Sequence, residues 1–166
     1  SEGYLPDHPP LGRLWLGTAH EIAATLDPRD LEAAEVRLYY ARFGSAAAFA
    51  LTILIVGWVS SCWYGPGTGL CASLAMLLMP RLLGHAHLAA LETVTNLFFT
   101  AAALAIATWW TGEKPPTKKA ALLCGFLWGL AMLTKIQGVL LMVPVGIWGL
   151  CYWRHRAIVP GMMFGL

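Results

Sequence analysis

No Asp, Glu, Lys or Arg occurs from Phe43 to Pro80, from Thr93 to Gly112, from Ala120 to Thr134 or from Ile136 to Trp153. A helix needs about 20 apolar residues to cross ~30 Å of hydrocarbon, so these stretches point to lipid as the solvent before any finer reading. Hydrophobic residues make up 58% of the chain and charged residues 12%, against about 25% charged in a soluble domain. With a mean hydropathy of +0.62, this excludes an ordinary soluble globular domain. Eight Trp, six Phe and five Tyr exclude a disordered chain as well. Eleven Lys+Arg against nine Asp+Glu, a formal charge of +2 and no long basic run speak against a nucleic-acid partner.

The chain opens on Ser1 and closes on Gly161 to Leu166, inside an apolar run that begins near Ile158. The expectation is an internal piece of a longer membrane protein, with any targeting span upstream, since the opening residues lack the basic-then-apolar pattern of a signal peptide. Cys62, Cys71, Cys124 and Cys151 sit in or beside apolar segments without metal or redox spacing, and read as packing residues.

The pattern predicts an all-α, polytopic bundle with an outer region at 1–43 and a transmembrane region at 44–166. In the first region, residues 11–25 read as an amphipathic helix opened by Pro9-Pro10. Asp27-Pro28 starts a second helix, acidic early and carrying Arg37 and Arg42 late. Both are expected along the membrane surface, with Trp15, Tyr39 and Tyr40 at the interface. Five spans then follow, about 44–63, 70–83 (interrupted by Pro80), 88–110, 120–134 and 138–153, with the start of another. Gly65-Pro66-Gly67-Thr68-Gly69 is a breaker cluster between the first two. Short loops with Lys114, Lys118 and Lys119, and with Arg154 and Arg156, are expected inside, two crossings apart. Residues 1–43, 84–91 and 135–138 then face outside, against the bias of Arg13, Arg29, Arg37 and Arg42. That topology gathers His85, His87, Glu92, Lys135 and Gln137 at the membrane face that holds Asp7 and His8.

Charge at membrane depth costs roughly 2.5–3.5 kcal/mol at a helix centre on insertion scales, and tends to line cavities. Glu92 heads a long charge-free stretch. If 85–92 is one helix, His85 lies two turns before it on the same face, where the pair shares a divalent metal or a phosphate-bearing head group. The alternative is that both are solvated in the headgroup layer. In Asp7-His8-Pro9-Pro10, two prolines hold Asp7 and His8 on a stiff extended loop, which is also a common way to open a helix. Lys135, beside Gln137 and Gly138, binds an anionic lipid phosphate or snorkels to the interface.

These strings also carry a resemblance. Asp7-His-Pro-Pro-Leu-Gly-Arg-Leu14 resembles the D-x-H-P-P-L-G-K-L string in the first outer loop of protein O-mannosyltransferases, and the E-K-P-P-L string of lipid A aminoarabinose transferases. Pro80 to Glu92 is similar to that superfamily's P-x-x-x-x-x-x-R-x-x-x-x-D pattern, with Glu92 at the acidic position and His87 where an Arg is usual. Thr134-Lys-Ile-Gln-Gly138 resembles its T-K-x-x-G motif, and Arg37 with Arg42-Phe-Gly44 its R-x-x-x-x-x-x-G approach to the second span. The resemblance, to type C membrane glycosyltransferases, runs through nearly the whole chain in order.

It implies transfer of a sugar, a hexose such as mannose, from a polyprenyl-phosphate donor to a protein or lipid acceptor at the outer face of an inner or plasma membrane. Asp7 would help hold the donor phosphate or a divalent metal ion, the one cofactor implied, and His8 would contact that phosphate. Glu92 would fill the second acidic position, Lys135 would lie near the lipid phosphate, and His85, His87 and Gln137 would complete the substrate contacts. A cation beside the leaving phosphate stabilises its charge, and a carboxylate activates the acceptor hydroxyl. The family's acidic base lies earlier in the outer loop than this chain begins. The rival reading is a transporter or channel fragment in which Glu92, His85 and Lys135 line an ion path, and a further one is a non-catalytic membrane scaffold. A transporter wants its polar groups near the midplane on broken helices.

Overall fold

The computed structural model describes residues 9–26, 34–88, 90–110 and 117–152, and every regular element among them is helical. The elements are α1 (Leu11–Leu26), α2 (Ala34–Tyr64), α3 (Pro66–Leu77), α4 (Pro80–Ala86), α5 (Leu91–Trp110), α6 (Lys118–Thr134), a 3-10 segment (Ile136–Leu141) and α7 (Met142–Tyr152).

Helix α1 starts where Pro9-Pro10 predicts, with the Leu14 N–H donating to the Pro10 carbonyl at 3.0 Å. It lies on α2 and α5 rather than standing apart. The Trp15 indole donates to the Gly44 carbonyl at 2.9 Å and its ring meets Phe98 edge-on, while His20 meets the buried Tyr40. Trp15 and Tyr40, expected at the interface, are spent on holding α1 in place. A Cβ on Gly44 would come 2.9 Å from Ala19 and one on Gly12 2.8 Å from Leu91, so both glycines set close approaches.

Helix α2 runs unbroken for 31 residues. From residue 34 onward the helix expected from Asp27-Pro28 and the first span are one element, because neither Pro nor a turn cluster interrupts residues 34–64; the Asp27-Pro28 start itself lies outside the described residues. The domain boundary expected at 43/44 therefore falls inside a helix. The breaker at 65 acts as expected: Gly65 alone among the described residues has a positive φ, +93°, and Pro66 starts α3 with the φ its ring imposes. The α2 and α3 backbones then approach through Gly57, Ser61, Gly69 and Ser73. A Cβ on Gly69 would overlap the Ser61 hydroxyl and lie 2.5 Å from the Gly57 carbonyl oxygen.

Met79, extended because it precedes a proline, separates α3 from α4 by a 67° bend. Helix α5 begins at Leu91 and returns on α6, their seam made by Ala105, Ile106, Trp110, Ala121 and Cys124. Thr117 caps α6, its hydroxyl accepting from the Ala120 N–H at 3.3 Å.

Two helices, Tyr39–Tyr64 and Leu91–Trp110, are long and apolar enough to cross a membrane, and a third crossing results if the bent α3–α4 pair is one span. Such helices are compatible with a membrane protein. The helices at the expected fourth and fifth spans are shorter than these: α6 has 17 residues and starts on Lys118-Lys119, and the next apolar stretch, Ile136–Ile147, opens with the 3-10 segment and runs into α7. The chain is thus all-helical with two to three candidate spans among the described residues, and five are not found there.

Candidate functional site

The beginnings of α2 and α5 and the ends of α4 and α6 meet at one end of the bundle, under α1. The cluster Ala48, Val94 and Leu97, covered by Trp15 and Leu16, forms the floor of that end. Above it the Ser45 hydroxyl donates to the Ala90 carbonyl at 3.3 Å and accepts the Ala90 N–H at 3.1 Å. One buried side chain of α2 thereby fixes the residue two before Glu92.

Lys135 arrives from the opposite direction in sequence. It leaves α6 with an extended backbone (φ −159°, ψ 137°), and the 3-10 segment folds back on α6. Gly138 makes that return possible, since a Cβ there would lie 2.9–3.0 Å from the Ala131 and Met132 backbone. The buried Trp128 indole donates to the Gly138 carbonyl at 2.8 Å and locks the turn. The result is an ion pair, Lys135 Nζ to Glu92 Oε1 at 3.5 Å. Its side chains are 26% and 48% exposed respectively. His85 lies within electrostatic reach of the same carboxylate.

A pair as exposed as this contributes about 0–1 kcal/mol to stability, so folding alone gives little reason for it. Chemically it offers adjacent anionic and cationic groups to one ligand: the carboxylate accepts from hydroxyls, and the ammonium binds phosphate oxygens.

Among the residues singled out from the sequence, Glu92 and Lys135 come together, with His85 within electrostatic reach of the carboxylate. The reason anticipated for His85 is corrected: α4 ends at Ala86 and α5 begins at Leu91, so His85 and Glu92 do not share a helix. Across the turn between the two helices His85 stays within electrostatic reach of the Glu92 carboxylate. Gln137 is exposed on the 3-10 segment close in sequence to Lys135, and His87 is exposed just past α4, where it lines a separate groove. Asp7 and His8 lie outside the described residues. Thr134, the first residue of the Thr-Lys-x-x-Gly string, is buried and turns its hydroxyl back to the Ala131 carbonyl at 2.6 Å.

No group of three or more His, Cys, Asp or Glu side chains able to hold a metal ion occurs among the described residues. With the Lys135 ammonium already on Glu92, a divalent cation between Glu92 and His85 would meet a like charge; Asp7, the metal ligand that the resemblance implies, lies outside the described residues. Sequence reasoning missed Ser45 and Trp128. The only trace of either is a polar or indole N–H group within an apolar run, which must find a partner when buried.

No family model matches the chain, and no curated protein or solved structure matches it at a significant level.

Proposed function

We propose that the chain is part of a type C membrane glycosyltransferase that moves a hexose such as mannose from polyprenyl phosphate to a protein or lipid acceptor, at the outer face of an inner or plasma membrane. The observation that carries this reading is the 3.5 Å pair of Glu92 with Lys135. Two strings that resemble that superfamily's motifs, far apart in sequence, supply its two partners. In the reaction the acceptor oxygen attacks the anomeric carbon, the bond from that carbon to the phosphate oxygen breaks, and the phosphate leaves with the electron pair. The Lys135 ammonium stabilises that departing charge. Glu92 orients the ammonium and accepts from a sugar hydroxyl, with His85 as a further donor. The acceptor's proton goes to the carboxylate that the resemblance sets upstream of this chain, and Asp7 and His8 would reach the donor phosphate from the loop before α1.

The test is sugar transfer from a polyprenyl-phosphate donor by the purified full-length enzyme. Glu92→Gln keeps the shape and loses the charge, and is expected to lower transfer at least tenfold, about 1.4 kcal/mol of transition-state stabilisation. Glu92→Asp should be milder. Wild-type activity in the Gln variant would remove Glu92 from the site.

The 67° bend at Pro80 favours a second reading, transport, because transporters build their sites on broken helices. The polar cluster lies at helix ends instead of at that bend, which supports transfer over transport. Ion flux into vesicles carrying the full-length protein, abolished by Glu92→Gln, would reverse the preference.

A further inference from the structure

A second groove lies on the other side of α2's first turns. It has a volume of about 500 Å³. Ala23 and Leu26 of α1, Phe43 and Ala46 of α2 and Ala86 of α4 give it apolar walls. Arg42 and His87 stand at its edge, both exposed. No acidic residue lines it, and Arg42 has no ion-pair partner, among the described residues. Glu92, His85 and Lys135 are not part of its lining.

Its position on a candidate span narrows what kind of solute it meets. Arg42 and Phe43 belong to the opening turn of the candidate span Tyr39–Tyr64, where a spanning helix passes from water to hydrocarbon. Tyr39, also on the lining, is a residue type enriched at that boundary. An occupant must therefore combine an anionic group for the guanidinium with apolar chains for the walls. A free phosphate would use only the rim. Basic pockets on membrane helices recognise anionic head groups in this way, and a planar guanidinium binds two phosphate oxygens at once. An imidazole offers an N–H donor with or without its extra proton, so His87 serves as a donor either way.

We propose that this groove binds the phosphate head group of an anionic glycerophospholipid, with the upper part of its acyl chains against Leu26, Phe43 and Ala46. The assignment goes beyond sugar transfer and stands without it. The seated lipid would bridge α1, α2 and the end of α4, three elements that also frame the Glu92 end of the bundle.

The experiment is native mass spectrometry of the full-length protein in detergent, titrated with phosphatidylglycerol or with phosphatidylcholine of the same chains. Phosphatidylglycerol is expected to bind at least tenfold more tightly. Arg42→Gln combined with His87→Gln should bring it to the phosphatidylcholine level, whereas Arg81→Gln, an exposed arginine outside the groove, should not. Ala46→Phe fills the wall and should weaken both lipids, and it carries the test if the double variant does not fold. Inorganic phosphate at millimolar concentration should displace neither lipid. An undiminished preference in the folded double variant, an equal loss in Arg81→Gln, unchanged lipid binding in Ala46→Phe, or displacement by inorganic phosphate would each overturn the proposal.

Discussion

Glycine brings backbone into close contact both in the α2–α3 hairpin and at the end of α6, with different results. In the α2–α3 hairpin, Gly57 faces Ser73 and Gly69 faces Ser61, so small residues make the close approach at this seam. It delivers nothing polar; it lets two helices approach closely where apolar side chains would hold them apart. At the end of α6, Gly138 lies against the Ala131 and Met132 backbone, and the residue three before it is Lys135, the cation of the Glu92 pair. The same device serves cohesion in one region and placement of a charge in the other. The two should therefore fail differently: damage to the hairpin should show in stability, and damage to the α6 return in stability and transfer together.

The largest stability loss is expected from Gly69→Leu. Its Cβ would meet both the Ser61 hydroxyl and the Gly57 carbonyl oxygen, and only the first can rotate away. Overpacking against backbone costs about 3 kcal/mol, at the upper end of the usual range, read as a lowered unfolding midpoint in detergent. A midpoint equal to wild type would show that the hairpin seam is loose. Next comes Gly138→Ala, where the contacts at 2.9–3.0 Å are all backbone. The expected cost is about 1–3 kcal/mol, together with at least a tenfold loss of transfer as Lys135 is displaced. Loss of stability with full transfer would separate Gly138 from the site and break the comparison.

Ser45→Ala should be milder in stability. It removes the two hydrogen bonds to Ala90 and leaves backbone groups half-buried, at a cost of about 1–2 kcal/mol. The smallest effect on folding belongs to Lys135→Gln. It breaks a half-exposed pair and should shift stability by less than about 1 kcal/mol while lowering transfer. A destabilisation as large as that of Gly138→Ala would make the pair a structural brace and remove its claim to chemistry.

Turn chemistry was the most readable part of the sequence. Pro9-Pro10 opens α1, the cluster at 65–69 makes the hairpin, Pro80 bends the second span and Lys135 interrupts the fourth apolar stretch, each for a reason local to a few residues. What was not readable depends on partners. The polar run before Phe43 and the apolar run after it looked like two elements because their environments differ, yet from residue 34 on the backbone is helical and nothing breaks it at residue 43. Span number was hard to read for the same reason: apolar stretches mark where lipid or core is, and a 3-10 return such as 136–141 has the same composition as a span. Glu92 and Lys135 were each conspicuous, but a salt bridge between residues this far apart has no periodicity to reveal it. Ser45 and Trp128 gave still less, since their roles are fixed by which carbonyl lies opposite them in three dimensions.

The length of α2 has a mechanical consequence. Its 31 residues span about 46 Å at 1.5 Å per residue, some 16 Å more than the ~30 Å hydrocarbon layer. The surplus is continuous helix, and α1 is fastened to it through Trp15 and Gly44. With α2 as a span, no hinge separates the described part outside the hydrocarbon from the part within it. If α2 tilts to match a thinner or thicker bilayer, it must carry α1, Ser45 and the Ala90 backbone with it as a lever, because there is no flexible joint in which the motion could be absorbed.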